Sequence, residues 1–280
     1  MYSSIPYESE NAKGAVTAEI LIGTSGYSYH EWVGLVYLAG TKQKDYLSTY
    51  AGMFPTVELN FSYYQMPKAQ NLEKMLEDGG DKLSFAIKAH RSLTHEVEPG
   101  WWEGEAETYL AAIEPMLKAG RLEAVLFQFP YSFQYNPENR RYLDGLLRYF
   151  KDVPKAVEFR KTDWYGGKVI EGMKSRGVPL VSLDMPDLPK LPPQSDVVTA
   201  PVAYIRLHGR NDKAWWGSDD HARYDYEYTD GELEAIAARI ERIAEIAQRV
   251  LVYLNNHPMG KAVRNARTLE KMLKKIGLFV

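Results

Sequence analysis

The sequence predicts a single parallel α/β barrel of the (β/α)8, or TIM, type. Short apolar runs alternate with amphipathic helical patterns eight times along the chain, which is typical of repeated β–α units. Seven of the eight runs also carry polar groups on one alternating face near their C-terminal ends. Strands buried on both faces normally read as unbroken apolar runs. Because the active site of a TIM barrel is built at the C-terminal strand ends, these polar groups predict a site there.

Strands and helices follow from hydrophobic periodicity. The predicted strands span 20–24, 56–61, 83–89, 122–129, 155–160, 178–184, 202–208 and 250–255. The predicted helices span 42–53, 68–77, 104–119, 137–150, 163–175, 230–248 and 261–276. The helix at 230–248 has the clearest stripe, through Leu233, Ile236, Ile240 and Ile243, and Asp230 is its predicted N-cap. The polar faces of the strand ends hold Glu58 with Asn60, Lys88, Gln128, Glu158 with Arg160, Ser182 with Asp184, Arg206 with His208, and Tyr253 with Asn255.

Three connections after strands are long. The segment 186–193 is rich in proline and is predicted to hold no full helix. The segments 91–103 and 209–229 are aromatic, the second through Trp215 and Trp216 among others. Loops of this length in a compact domain tend to be lids or binding walls. Since all three leave C-terminal strand ends, we expect them to cover the face that carries the polar groups.

Length and composition favour one intracellular domain. At 280 residues the chain suits a single barrel, predicted over 19–280 after a flexible polar extension at 1–18. The formal net charge of −3 argues against a general polyanion-binding protein. The lack of cysteine excludes disulfides, thiolate metal ligands and a cysteine nucleophile, and fits a reducing compartment. With neither a signal-like start nor an apolar run near the roughly 18 residues of a membrane span, we expect a cytoplasmic protein without membrane attachment. The sequence predicts no particular oligomeric state.

Several short motifs run in order through nearly the whole chain. They are GTSGYSY at 23–29, TVELNFSYY at 56–64, FAIKAHR at 85–91, LFQFP at 126–130, VEFR at 157–160, YIRLHG at 204–209 and NN at 255–256 followed by GKAV at 260–263. Together they resemble the YecE-like family of uncharacterised TIM barrels (domain of unknown function 72). The resemblance implies a TIM barrel and no settled activity. The chain departs from the family pattern at Tyr27, where tryptophan is frequent, and at His257-Pro258, where an acidic residue is common.

Basic side chains near the strand ends predict an anion pocket. Arginine offers a planar fork suited to carboxylate or phosphate, and the connection leading to Lys261 would bring a helix N-terminus to the barrel mouth. The alternative is that Arg160 and Arg206 pair with the carboxylates inside the barrel, because buried charges require partners. Both can hold together. The candidate substrate-binding residues are Asn60, His95, Gln128, Arg160, Arg206, Asn255, Asn256 and Lys261.

Candidate proton-transfer groups occupy the same strand ends. The candidate catalytic residues are Glu58, Lys88, Glu158, Asp184 and His208. Lys88 could also form a Schiff base if it is desolvated beside cations, and its alternative role is a salt bridge to Glu58. If the site is solvated, Glu158→Gln and Asp184→Asn should lower the melting temperature little, because water can fill the gap.

A divalent metal is an alternative that we do not favour. Glu158, Asp184 and His208 leave three consecutive strands, in the order seen in sugar isomerase and epimerase barrels that use Mn, Mg or Zn. Strand eight, however, ends in Asn255 rather than a carboxylate, and the neighbouring arginines would repel a cation. We therefore predict no metal site, and the cofactor is left undetermined.

The predicted function is an enzyme that acts on a small anionic substrate, carbohydrate-like or phosphorylated, by acid–base chemistry at the C-terminal barrel face. An isomerase, a lyase and a hydrolase all stay open. One alternative is a metal-dependent enzyme like the sugar isomerases and epimerases. The other is a non-catalytic anion-binding or nucleic-acid-binding protein, in which Trp101, Trp102, Trp215 and Trp216 stack bases. The net acidity of the chain counts against nucleic acid as the partner.

Overall fold

The computed structural model describes residues 18–278, with the side chain of Asp220 left out. The extension predicted for 1–18 lies, apart from Ala18, outside the described residues, and the single domain predicted for 19–280 stays a prediction. None of the helices within the described residues combines the length and apolar character that a membrane crossing needs.

Eight β-strands occur within the described residues, and helices follow seven of them; the proline-rich connection after the sixth strand holds no helix, as the sequence predicts. They are β1 (Glu19–Thr24), β2 (Thr56–Leu59), β3 (Ser84–Lys88), β4 (Leu122–Gln128), β5 (Lys155–Glu158), β6 (Ser182–Asp184), β7 (Val202–Leu207) and β8 (Arg249–Leu254). They form two four-stranded sheets, ordered β1-β8-β7-β6 and β2-β3-β4-β5. Every neighbouring pair within the sheets is parallel. The architecture is therefore α/β with parallel sheets.

Backbone hydrogen bonds also join the two sheets at both of their edges. Beyond β1, Ser25 forms a parallel bridge with Glu58, and the Gly26 N–H donates to the Glu58 carbonyl at 2.8 Å. Before β6, Leu180 bridges Val157, and the Val181 N–H donates to the Val157 carbonyl at 2.8 Å. The two sheets thus meet edge to edge on both sides.

Nine α-helices occur within the described residues. They are α1 (Tyr46–Ala51), α2 (Phe61–Tyr64), α3 (Ala69–Asp78), α4 (Trp102–Lys118), α5 (Pro137–Tyr149), α6 (Gly167–Lys174), α7 (Asp220–Tyr224), α8 (Asp230–Ala244) and α9 (Lys261–Lys275). The short helices α2 and α7 were not predicted. The helix predicted at 163–175 is divided into a 3-10 turn at Thr162–Tyr165 and α6.

The start of α8 differs from the prediction by one residue. The N-cap is Thr229 rather than Asp230, and Thr229 forms a capping box with Glu232. The Thr229 hydroxyl accepts the backbone N–H of Glu232, and the Glu232 carboxylate accepts the backbone N–H of Thr229. Two N–H groups that would otherwise be unpaired are thus satisfied. The capping box makes Thr229 the better start.

Two apolar layers surround the strands. The larger one packs the outer strand faces, such as Val57 and Leu59, against the helices. The smaller one lies between the two sheets and combines Ala86, Leu126 and Leu251 with side chains from four further strands. Successive side chains of a strand point to opposite faces, so they enter the two layers in turn. The layer that holds a side chain therefore shows whether it points inward or outward.

One strand faces opposite to the prediction. In β6, Leu183 packs in the inner layer together with its neighbours Val181 and Met185. The side chain of Ser182 instead accepts a hydrogen bond from Arg239 of α8, on the outer side of the sheet. Asp184 shares the face of Ser182, because side chains two apart in a strand point the same way. The prediction that Asp184 joins the inner polar groups was therefore wrong.

Candidate functional site

A cluster of buried charges lies at the C-terminal ends of the strands, between the two sheets. Arg206 of β7 donates through Nη2 to Glu58 of β2 and through Nη1 to Glu158 of β5, each at 2.7 Å. Arg160, two residues beyond β5, contacts the other oxygen of Glu158 through Nε at 2.6 Å. We call Glu58, Glu158, Arg160, Arg206 and His208 the central cluster. Arg160 and Arg206 thus pair with carboxylates inside the fold, which is the alternative to an anion site that the sequence left open.

Further hydrogen bonds hold the central cluster in place. The Tyr204 hydroxyl donates to the second oxygen of Glu58 at 2.7 Å. Nε2 of His208 lies 3.4 Å from Glu158, and Nδ1 of His208 lies 3.0 Å from Nδ2 of Asn255. Since an amide nitrogen can only donate, Nδ1 accepts and the imidazole proton resides on Nε2. The sequence missed Tyr204, although its place two residues before Arg206 on one strand face was a usable signal.

Burial and neighbouring charges set the protonation states of this cluster. Burial alone would raise the pKa of Glu158, but the guanidinium groups of Arg160 and Arg206 outweigh it and hold that pKa well below its usual range. Burial and the charge of Arg160 lower the pKa of His208 to about 3. At neutral pH, Glu158 is therefore an anion and His208 a neutral imidazole. Neither group changes its charge near neutral pH.

Lys88 stands beside this cluster in a different environment. Its amine lies 4.2 Å from the ring centroid of Tyr63, over the ring face. Burial, followed by the charges of Arg206 and Arg160, lowers its pKa to about 7. Among the ion pairs of the described residues none contains Lys88, so the salt bridge to Glu58 that was its alternative role is not formed. Lys88 is thus the basic group here that titrates near neutral pH.

Asp184 belongs to a separate group of polar residues. Arg210 donates two hydrogen bonds to Asp184, from Nε at 2.9 Å and from Nη2 at 2.7 Å. The Tyr228 hydroxyl and the Gln194 amide donate to it at 2.8 and 2.6 Å. Because Gln194 follows β6 while Arg210 and Tyr228 follow β7, this group ties two long loops together. Both Asp184 and Glu158 are fully buried, so the solvated site on which the small stability losses of Glu158→Gln and Asp184→Asn depend is not formed at these two residues.

Two cavities open beside the central cluster. The larger, of about 660 Å³, is bordered by residues that follow β1, by α2 and α3, and by Arg206, Asn255 and His257. The smaller, of about 330 Å³, is bordered by His95, Gln128 and aromatic side chains such as Trp215 and Trp216. The residues common to both walls are Tyr64, Lys88, Arg160 and Tyr224. A lysine and an arginine thus stand where the two cavities adjoin.

The remaining predicted binding residues divide between these cavities and other places. Asn60 and Asn255 line the larger cavity, and His95 and Gln128 line the smaller one. Asn256 is fully buried and donates to the Tyr226 carbonyl and to Asn265, which gives it structural bonds. Lys261 pairs with Asp225 at 2.7 Å and is absent from both cavity walls.

The sequence missed several residues of the larger cavity. Tyr27 and His257, the two positions where the chain departs from the family pattern, both line it. Tyr29 stacks on His257 with ring centroids 4.4 Å apart. Asn71 and Lys74 reach the wall from α3. The motif at 23–29 was a signal for the first group, whereas no sequence pattern pointed to the residues of α3.

The donors that suggested a metal do not converge. Glu158 and His208 are neighbours, but Asp184 lies on the outer strand face and is held by Arg210. Leaving out the side chain of Asp220, residues 18–278 hold no group of three or more histidine, aspartate or glutamate side chains arranged for a metal ion. The three residues therefore do not form one ligand set.

The fold and site define a class of protein: a parallel α/β chain with buried arginine–carboxylate pairs at the floor of aromatic cavities. A family model described as "Protein of unknown function DUF72" matches residues 21–277. The chain belongs to the DUF72 family.

Relatives support this membership along nearly the full length. The UPF0759 protein YunF of Bacillus subtilis is 28% identical over 269 residues, which covers 91% of this chain and 94% of YunF. A DUF72 family protein from Thermotoga maritima has a solved structure at 33% identity and a TM-score of 0.84, covering 91% of this chain and 99% of that one. One from Enterococcus faecalis is 26% identical with a TM-score of 0.80, covering 91% and 95%.

Proposed function

We propose that this protein is an enzyme that binds a small anionic substrate against Arg160 and Lys88 and acts on it by acid–base chemistry. The observation that carries the proposal is the position of these two cations on the wall shared by both cavities. The side chain of Arg160 is 13% exposed, against 2% for Arg206. Arg160 is therefore the guanidinium that can meet a ligand, while Arg206 holds the carboxylates.

The balance of charge supports an anionic ligand. Lys88, Arg160 and Arg206 supply three basic groups, and Glu58 and Glu158 supply two carboxylates. With Lys88 protonated, the group carries one excess positive charge beside the cavities. A charged guanidinium with a neighbouring ammonium is the donor set that binds carboxylate and phosphate groups most strongly.

Lys88 is the group best suited to move a proton. A pKa of about 7 lets it exist in both forms near neutral pH, which is what efficient acid–base catalysis requires. Glu158 and His208 each keep one protonation state there, so in this proposal they orient Arg160 and Arg206. The proposed proton-transfer role thus falls to one of the five predicted catalytic residues.

The walls suit a carbohydrate-like substrate. Ligand sites commonly combine apolar and aromatic walls with a few placed polar groups that fix orientation. Here Tyr29, Tyr64 and Trp215 supply ring surfaces, while Asn60 and Asn255 supply amides in the larger cavity. Asn60 Oδ1 is buried and has no hydrogen-bond partner among the described residues. A hydroxyl-bearing ligand would satisfy it.

We also propose that the two sheets are halves of one closed TIM barrel spanning 19–280. The hydrogen bonds at both edges of the sheets support closure. Side chains also connect the sheets through the interior, as when Thr56 of β2 meets Tyr253 of β8 at 2.8 Å. In a closed barrel the central cluster lies at the C-terminal face, where catalytic residues of this architecture are found.

Calorimetry tests the anion site. Phosphate and glucose 6-phosphate should bind the wild-type protein at millimolar concentration or below, and Arg160→Ala should weaken binding by tenfold or more. Lys261→Ala is the matched control, because it removes a cation that pairs with Asp225 away from the cavities, and should leave affinity unchanged. Equal binding by wild type and Arg160→Ala, or none by the wild type at 10 mM, would refute the site.

A further inference from the structure

We propose that Lys88 is a nucleophile that condenses with the carbonyl carbon of a small oxo compound carrying an anionic group, forming an imine. The inference rests on the proposed function, since Arg160 on the same wall would hold the anionic group. It adds the substrate class, an anionic aldehyde or ketone, and a covalent intermediate.

The backbone of Lys88 is held firmly at the end of β3. Its carbonyl accepts hydrogen bonds from the Ser62 hydroxyl of α2 at 2.6 Å and from the Tyr109 hydroxyl of α4 at 3.0 Å. The Tyr63 ring then supports the amine from one side. A nucleophile fixed in this way loses little freedom on reaction, which lowers the entropic part of the barrier.

Among the side chains that the structure describes, no carboxylate pairs with the Lys88 amine. Glu58 and Glu158 are bound by Arg206 and Arg160, and the ion pairs among the described residues leave Lys88 out. Other lysines such as Lys74 and Lys161 pair with nearby aspartates. A desolvated lysine beside other cations is the arrangement that exposes a neutral, nucleophilic amine.

The pKa of about 7 fits this reading, since near neutral pH about half of the Lys88 amines would carry their lone pair. An ordinary lysine, with a pKa near 10.4, is less than about 0.1% neutral at that pH. The titratable and charged groups around the amine are Glu58 from β2, Tyr63 from α2, His95 from the loop after β3, Glu158 and Arg160 from the β5 end, and Arg206 from β7.

The reaction balances without any further reagent. The neutral amine adds to the carbonyl carbon, the new N–C bond forms, and the carbonyl oxygen takes the proton that the nitrogen loses. The C–O bond then breaks as the hydroxyl takes a second proton and leaves as water, which produces the protonated imine. The second proton comes from solvent, which reaches the amine through the two cavities whose walls include Lys88.

Reductive trapping tests the proposal on the full chain. The protein is incubated at pH 7 with glyoxylate, pyruvate or glyceraldehyde 3-phosphate and sodium cyanoborohydride, and the modified lysines are mapped by peptide mass spectrometry. We expect Lys88 to be labelled at least tenfold faster than any other lysine. Lys82, an exposed lysine in the turn two residues before the same strand, is the internal comparison. Labelling of Lys88 no faster than Lys82 by all three compounds overturns the proposal.

Two variants separate this inference from the anion site. Arg160→Ala should slow the labelling of Lys88 by glyoxylate at least tenfold more than its labelling by neutral formaldehyde, which reports separately the rise in the Lys88 pKa that follows loss of this cation. If Lys88 is labelled preferentially and Arg160→Ala slows glyoxylate no more than it slows formaldehyde, the imine is supported and the anion site is contradicted. Phosphate binding in calorimetry without preferential labelling supports the anion site and overturns the imine. Lys88→Arg should keep the circular dichroism spectrum of the fold and lose the adduct, and the site-resolved wild-type result stands if that variant does not fold.

Discussion

Arg206 of β7 donates a hydrogen bond of 2.7 Å to Glu158 of β5, from one sheet to the other. The same guanidinium reaches Glu58 of β2, so one side chain joins three strands. All three side chains are nearly or completely removed from solvent. A buried charge group of this kind is stable only as a whole, because each member compensates the desolvation of the others.

Removing Arg206 should therefore be severely destabilising. Arg206→Ala leaves Glu58 and Glu158 buried with fewer partners, and we expect the free energy of unfolding to fall by about 3–5 kcal/mol. Urea denaturation measures it. Arg148→Ala is the control, since Arg148 is 76% exposed and its pair with Asp144 should contribute at most about 1 kcal/mol. Similar losses in both variants would contradict the structural role of Arg206.

Tyr228 should matter more than its neighbour Tyr226. The Tyr228 hydroxyl accepts the Gly209 N–H and donates to Asp184, and both contacts are buried. Tyr228→Phe leaves both groups without that partner, which should cost about 1–3 kcal/mol. Tyr226→Phe loses only a bond to partly exposed Glu232 and should cost less than about 1 kcal/mol. Thermal melts of the pair check the order, and an equal or reversed order would show that Tyr228 does not secure the loops.

Gly23 should tolerate no side chain, because β1 and β2 approach closely there. A Cβ atom on Gly23 would lie 2.1 Å from the Thr56 carbonyl oxygen, so the backbone of one strand would have to move. We expect Gly23→Ala to cost about 3 kcal/mol. Gly104→Ala in α4 meets nothing within 4 Å and should stabilise by about 0.5–1 kcal/mol. A Gly23→Ala protein as stable as wild type in urea would mean that the two strands do not pack this closely.

Lys88 should make stability depend on pH. Its pKa is about 7 in the folded chain, below the ordinary lysine value of 10.5, so the unfolded state binds more protons between these values. Stability attributable to Lys88 therefore rises with pH from about 7 to 10.5, and its charge is destabilising at lower pH. Lys88→Met should gain more stability over wild type at pH 6 than at pH 9.5, by at least about 1.4 kcal/mol.

Urea denaturation at the two pH values measures this difference. Lys82→Met serves as the control, because Lys82 is exposed and removing it should change stability equally at both pH values. A Lys88→Met effect that is the same at pH 6 and pH 9.5 would place the pKa of Lys88 outside this window.

His208 should remain neutral throughout the physiological range. Burial and the nearby Arg160 charge lower its pKa to about 3, so its ring nitrogens should show no titration between pH 5 and 8. NMR of histidine-labelled protein, assigned with His208→Asn, checks this directly. A His208 midpoint above pH 5 would return the imidazole to the list of proton-transfer groups.

Much of the architecture could be read from the chain itself. The order and number of strands, six of the seven predicted helices in outline, and the C-terminal placement of most polar groups follow from local periodicity, because side-chain alternation in a strand is a property of its own backbone. The same alternation correctly placed Glu58, Lys88 and Arg206 on inner faces. Motifs such as VEFR at 157–160 also sufficed to recognise the family.

Tertiary structure decided what alternation leaves open. In β6 the alternation places Leu183 and Asp184 on opposite faces but does not determine which face points inward. Leu183 packs in the inner apolar layer. Asp184 therefore lies on the outer face, where Arg210 from the next long loop donates hydrogen bonds to it. The pairing of Arg206 with two carboxylates likewise depends on residues about 50 and 150 positions away. The unpaired state of Lys88 follows from the same competition, because both nearby carboxylates are bound by arginines. Such choices depend on distances across the fold, which no local pattern encodes.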